Sequence, residues 1–147
     1  MLAVLVSLFL DLAAASPSAG PLLVVAGKQL GPLKLGMSAN ELGGLGATVT
    51  DGEATLGALT ASLRAGHIKR IEAHLNFADR PRLLVGSNVF QLEFLHHTAG
   101  ELVGLLSGCG KPRHTGDGKL FRVWRCAGIR IEERLADGDP ELNLYVE

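Results

Sequence analysis

The sequence has only two cysteines and almost no net charge, and each shortage excludes a class of function. Cys109 and Cys126 are too few for a thiolate zinc site and lie far outside CxxC spacing. The 147 residues carry 14 basic and 15 acidic side chains, scattered rather than grouped. No basic face for a phosphate backbone is therefore expected, and nucleic acid is not expected as a partner.

Common catalytic motifs are also missing. No serine lies in a Gly-x-Ser-x-Gly elbow, no Gly-x-x-x-x-Gly-Lys loop is present, and no paired carboxylates share an apolar setting. His96, His97 and His114 could gather a metal, but adjacent histidines on an extended segment point to opposite sides. We therefore expect a protein that is not an enzyme, with no catalytic residues, no metal site and no cofactor.

The longest apolar run, at residues 1–10, is too short to cross a membrane. Asp11 and then a segment with Ala-x-Ala spacing follow, a pattern typical of a secretory signal peptide. We expect residues 1–19 to be removed, which leaves a secreted or periplasmic domain at 20–147 without a stable membrane anchor. A buried N-terminal helix is the alternative, because no Lys or Arg precedes the run and Asp11 interrupts it.

The two cysteines fit an exported protein. A disulfide between Cys109 and Cys126 would join the end of a predicted helix to a predicted strand. Closing a loop of this size stabilises a fold by roughly 3 kcal/mol in the chain-entropy model. Two buried free thiols in a cytosolic protein are the alternative.

The most prominent feature is an internal similarity at an offset of sixty residues. Ser38 and Thr98 each precede a glutamate by three residues, which is a capping box and predicts a short helix in each copy. The other matches pair Leu35, Ala39, Glu41, Leu42, Gly44, Leu45, Arg70, Ile71, Glu72 and Leu75 with Leu95, Ala99, Glu101, Leu102, Gly104, Leu105, Arg130, Ile131, Glu132 and Leu135. Such clustering predicts two repeats, at about 28–87 and 88–147, with chance similarity in a Leu- and Gly-rich chain as the alternative.

Each predicted repeat contains one helix and about three antiparallel strands. The clearest alternation places Ile71, Ala73 and Leu75 on one side of a strand, with Arg70, Glu72 and His74 on the other. This pattern predicts one buried and one wet face. Such a unit cannot bury its apolar face alone. We expect an α+β domain in which the two repeats form one sheet, with two short helices packed on one face.

The run GPLKLGMSANEL, at residues 31–42, resembles the LGM[ST]xxE[LV] opening of small exported bacterial proteins of the SmpA/OmlA (BamE-like) family. A tandem duplication with a disulfide also resembles the β-lactamase inhibitory protein-like group. These resemblances imply a non-catalytic exported module that binds protein or envelope components. The chain lacks the lipidated cysteine of the assembly lipoproteins.

The function that we expect is binding of another protein or an envelope component, as an inhibitor, immunity-like or envelope-accessory module. The sequence does not indicate an oligomeric state. The candidate binding residues are hot-spot types or lie on the wet strand face: Arg122, Trp124, Arg134, Tyr145, His74 and Glu72. Trp124 could instead belong to the core. A small-ligand carrier or enzyme using the polar sheet face is the alternative, with His67, His74 and Glu72 as its acid–base group.

Overall fold

The computed structural model describes residues 20–92, 99–117, 120–134 and 141–147. The strands are β1 (Leu22–Val25), β2 (Gln29–Leu30), β3 (Leu33–Lys34), β4 (Thr48–Thr50), β5 (Glu53–Leu56), β6 (Leu59–Arg64), β7 (His67–Asn76), β8 (Arg82–Val85), β9 (Asn88–Gln91), β10 (Arg113–Thr115), β11 (Phe121–Cys126), β12 (Ile129–Arg134) and β13 (Glu141–Val146). The helices are α1 (Ala39–Gly44), α2 (Ala99–Gly104) and a 3₁₀ helix (Phe77–Asp79).

The strands form two sheets. The smaller sheet has the order β3-β2-β1-β8-β9, and the larger has the order β10-β11-β12-β13-β7-β6-β5-β4. Within the described residues only β1 and β8 pair in parallel, and the other neighbours are antiparallel. The C-terminal strand β13 therefore lies in the middle of the larger sheet, between β12 and β7.

One hydrophobic core is shared by the two sheets. The larger sheet contributes alternate residues of its central strands, such as Ile71, Ile131 and Leu144, each with 0% exposure. The smaller sheet contributes Leu30 and Leu83, which are equally buried. Alternation in both sheets thus directs one face of each sheet inward.

The turns of the two sheets also meet. The Gly27 amide, between β1 and β2, donates a hydrogen bond to the Gly128 carbonyl, between β11 and β12, at 2.6 Å. A Cβ on Gly128 would lie 2.4 Å from the Gly27 Cα. Only glycine therefore permits this contact between the sheets.

The predicted α+β class with a single sheet is wrong. Strands hold 54% of the described residues and helices 14%, in two sheets rather than one. The capping box at Ser38 and Glu41 is confirmed, but α1 spans only six residues and contains Gly43 and Gly44. Such short, glycine-containing helices depend on tertiary contacts and do not form a layer of their own.

The predicted repeats are also wrong as structural units. Strands β7 and β12 both run antiparallel to β13, so they point in the same direction, and both bury side chains on the core face. Hairpin β6–β7 nevertheless extends to one side of β13 and hairpin β11–β12 to the other. Moving β7 onto β12 would place β6 where β13 lies, so the hairpins have opposite hand.

The predicted disulfide is confirmed: Cys109, which follows α2, is bonded to Cys126 at the end of β11. Backbone hydrogen bonds lie on both sides of it, from Gly110 to Arg125 at 3.0 Å and from Ala127 to Ser107 at 3.2 Å. The bridge therefore holds the segment after α2 against the edge of a hairpin.

The proposed signal peptide, the Thr98 cap, and His96 and His97 lie outside the described residues. Within the described ranges, no helix is long and apolar enough to span a membrane.

Candidate functional site

The face of the larger sheet that points away from the core is called the outer face here. At its centre, on β7, β13 and β12, it consists of Arg70, Glu72, His74, Glu141, Asn143, Tyr145, Glu147, Arg130, Glu132 and Arg134. Arg70, Glu72, His74, Arg130, Glu132 and Arg134 thus share one face, as their alternation indicated. Among the described residues, side-chain hydrogen bonds and ion pairs on this face join residues of the same sheet.

Tyr145 stands at the centre of the outer face, between two arginines. The guanidinium carbon of Arg130 lies 3.8 Å from the ring centroid, and that of Arg70 lies 5.8 Å away. The phenol hydroxyl donates to Glu132 Oε2 at 3.2 Å, and Arg130 also pairs with Glu132. The ring is 9% exposed. Cation–π contacts and this hydrogen bond therefore fix the orientation of the ring.

The surroundings of Tyr145 also change its acidity. Burial, and then the negative charges of Glu132 and Glu72, raise the pKa of Tyr145 to about 12. Arg130 acts in the opposite sense but does not outweigh them. The phenol therefore remains a neutral hydrogen-bond donor throughout the physiological range.

Two further rows of side chains cross the same three strands. His74 Nδ1 lies 2.6 Å from Asn143 Oδ1, and His74 Nε2 lies 3.9 Å from a carboxylate oxygen of Glu141. The other carboxylate oxygen of Glu141 accepts from Arg134 at 3.3 Å. The side chains of His74 and Arg134 remain 56% and 51% exposed. The outer face thus surrounds a buried aromatic ring with accessible polar groups.

The structure separates the predicted binding residues into two groups. Glu72, His74, Tyr145 and Arg134 lie together on the outer face, whereas Arg122 and Trp124 lie on the opposite side of the sheet. Arg122 lies over the Trp124 ring, with its guanidinium carbon 4.9 Å from the centroid. Its Nε and Nη2 donate to Glu133 Oε2 at 2.9 and 2.5 Å. Trp124 is 5% exposed and belongs to the core.

The residues of the alternative acid–base group are not gathered in one place. His67 begins β7, beside α1, and its Nδ1 lies 2.9 Å from the Ala65 carbonyl oxygen. Seven residues of extended strand, about 23 Å, separate it from His74. Among the described residues, no group of His, Cys, Asp and Glu side chains is arranged to hold a metal ion.

Six members of the outer face were missed as site residues: Arg70, Arg130, Glu132, Glu141, Asn143 and Glu147. Arg130 and Asn143 occupy polar positions in alternating strands, so the signal was present in the sequence. The pairing of β13 with both β7 and β12 could not be predicted from the sequence. That pairing brings the three strands into one surface.

A basic edge borders the outer face at β10 and β11. Lys111, Arg113 and Arg125 line a cleft of about 370 Å³ there, together with Val123. Arg125 lies 3.9 Å from Glu147, and its side chain is 69% exposed. The charges on this surface are therefore mixed at the centre and positive at one edge.

Comparison with known proteins places this chain in no group. It matches no protein-family model, no curated protein and no solved structure. Any function must therefore be argued from the geometry of the chain itself.

Proposed function

We propose that this chain is an exported, non-catalytic protein that binds another protein through the outer face of its larger sheet. The single observation that carries the proposal is the Tyr145 ring held between Arg70 and Arg130. Tyrosine and arginine are the residue types most enriched at binding hot spots. Rings fixed before binding lose little conformational freedom when a partner docks.

The charge distribution supports a protein partner. The centre of the outer face alternates basic and acidic side chains, and its basic edge contains Arg113 and Arg125. A partner would need complementary charges in the same arrangement, including a carboxylate near the basic edge. Patterns of this kind favour one partner over others and speed association.

The binding face can be tested by introducing negative charge at two of its exposed positions. The wild-type chain, a His74→Glu, Arg134→Glu variant and a Lys34→Glu control would each capture partners from extracellular and envelope fractions by crosslinking. Lys34 is exposed on β3 of the other sheet. A partner identified with the wild type and then purified should bind the double variant about tenfold more weakly or worse. The control should bind like the wild type.

Equal binding of that partner by the double variant would contradict the proposed interface. Failure of the wild type to bind any protein specifically would contradict the proposed function.

Export is supported by the disulfide, because such bonds persist in oxidising compartments. Intact-mass measurement of the chain from its natural source, with and without reductant, tests this point. We expect a mass that corresponds to cleavage near residue 19 and an increase of two hydrogens on reduction. An uncleaved chain with two free thiols, recovered from the cytosol, would contradict export.

A further inference from the structure

We propose that the apolar cleft at one end of the two sheets binds a single aliphatic chain that carries an anionic head group. The cleft has a volume of about 660 Å³. This value lies within the range of small-molecule sites, roughly 300–1,000 Å³. It is separate from the outer face, so this inference does not depend on the proposed function.

The interior of the cleft is apolar. Its walls come from the start of β1 at Leu22, the β2–β3 turn at Pro32, and Leu59, Ala73 and Leu75 of the larger sheet. The last three belong to the hydrophobic core and are at most 8% exposed. A hydrocarbon chain that entered the cleft would therefore leave water and contact apolar side chains of the core.

The rim of the cleft is charged, and its charge is unbalanced. Arg80 and Arg82 line it, and Asp79 is the single carboxylate among the described lining residues. Within the described parts of the chain, neither guanidinium makes a side-chain hydrogen bond or an ion pair. Two exposed guanidinium groups without partners beside an apolar cavity match a carboxylate or phosphate head on an aliphatic tail.

The rim segment is fixed by the fold. Arg80 follows the 3₁₀ helix with φ 49° and ψ 53°, a left-handed conformation that residues with a side chain rarely adopt. Asn76 Oδ1 accepts from the Ala78 amide at 2.8 Å, and the Pro81 carbonyl accepts from the Leu92 amide at 2.9 Å. Both ends of the turn are thus held, so the two arginines project from an ordered backbone.

Binding can be measured by calorimetry on the full chain with decanoate, decyl phosphate, decanol and decyltrimethylammonium, with decanol below its solubility limit and the ionic compounds below the concentrations at which they form micelles. We expect the two anions to bind at least about tenfold more tightly than decanol. The cation should bind most weakly, because the rim is positive. The tighter of the two anions distinguishes a fatty-acid carboxylate from a lipid phosphate.

Two variants test the contacts of the aliphatic tail and of the anionic head group separately. Ala58→Trp, at an exposed turn position that lines the cleft, should block the tail and abolish binding of decanoate and decanol alike. Arg80→Asn with Arg82→Gln should lower decanoate affinity to that of decanol and leave decanol binding unchanged. Arg64→Gln, an exposed arginine at the end of β6 that does not line the cleft, is the matched control.

Several results would overturn the proposal. These are no binding of either anion, equal affinity for decyltrimethylammonium, or unchanged decanoate binding by the Ala58→Trp variant. Circular dichroism of each variant establishes that a loss of binding is not a loss of folding. None of these substitutions changes the outer face, so failure here leaves the proposed protein interface standing.

Discussion

Two clusters on opposite faces of the larger sheet are each built from an arginine, a glutamate and an aromatic residue. On the core side, Arg122 covers the ring of Trp124 and binds Glu133. On the outer face, Arg130 covers the ring of Tyr145 and binds Glu132. Glu132 and Glu133 are adjacent on β12, so strand alternation directs one carboxylate to the outer face and the other to the core side.

The clusters differ in which partner is shielded and in what surrounds them. The Glu133 side chain is 8% exposed and that of Glu132 is 21% exposed, whereas the arginines show the opposite order, with 32% for Arg122 and 17% for Arg130. Around the outer cluster, His74 and Arg134 are more than half exposed, whereas Trp124 is part of the core. The carboxylate is therefore shielded in the core-side cluster, whereas the outer cluster is bordered by accessible polar side chains.

The largest effect that distinguishes the two clusters is expected from substituting their aromatic residues. Trp124→Ala should lower the free energy of unfolding by about 3–5 kcal/mol, because it leaves a cavity in the core. Tyr145→Phe keeps the ring and loses one hydrogen bond to a charged group, which should cost about 1–2 kcal/mol. Urea unfolding measures both values. Equal losses for the two variants would mean that the faces are not energetically distinct.

The glutamates should show a smaller difference in the same direction. Glu133→Gln weakens the bonds to Arg122 inside the protein and should cost about 1–3 kcal/mol of stability. Glu132 is the more exposed of the two carboxylates, and Glu132→Gln should cost less than about 1 kcal/mol. Guanidinium chloride is unsuitable here because it screens charges, so thermal or urea unfolding is the appropriate measurement. A larger loss for Glu132→Gln would reverse the assignment of the two faces.

The pKa of Tyr145 can be measured directly, because Tyr145 is the only tyrosine in the chain. Its pKa is raised to about 12 in the folded protein, against about 10 in an unfolded chain. The folded state thus holds the phenol proton more tightly. The contribution of this pKa difference to the free energy of unfolding is fully present below about pH 10 and is lost as the pH rises from about 10 through about 12.

Tyrosinate absorbance measures this pKa directly, with circular dichroism to establish that the protein remains folded. Glu132→Gln removes one of the negative charges that raise it and should move the titration towards lower pH. A native titration at the ordinary pKa would show that the ring is more solvated than its contacts imply.

Local patterns in the sequence predicted part of this arrangement. The period of two in β7 assigned Ile71, Ala73 and Leu75 to the core and Glu72 and His74 to the wet face. These assignments are confirmed. Alternation depends only on neighbouring residues, so it can be read from a short segment. The same holds for the capping box of α1, where bonds from Ser38 also lower the pKa of Glu41.

Pairing between distant strands could not be predicted in this way. Placing β13 between β7 and β12 requires contacts across the whole chain, and the local period is the same for any neighbour. The faces of β11 were ambiguous for another reason. Arginines occur in both of its alternating sets, with Arg122 beside Trp124 in one and Arg125 beside Val123 in the other. Neither set is clearly apolar, so the inward orientation of Arg122 had no local signal, and that of Trp124 was indicated only by the tendency of large aromatic residues in strands to pack.

The smallest expected effect concerns the salt dependence of ion pairs on the two faces. Arg134 and Glu141 are 51% and 28% exposed and lie 3.3 Å apart on the outer face. A double-mutant cycle should give a coupling of about 0.5 kcal/mol or less, which vanishes at molar salt because the charges are screened. The Arg122–Glu133 pair should retain most of its coupling, since Glu133 is shielded from ions. If both couplings fall together with added salt, then the core-side pair is as accessible to ions as the outer pair. That result would contradict the difference in shielding between the two faces.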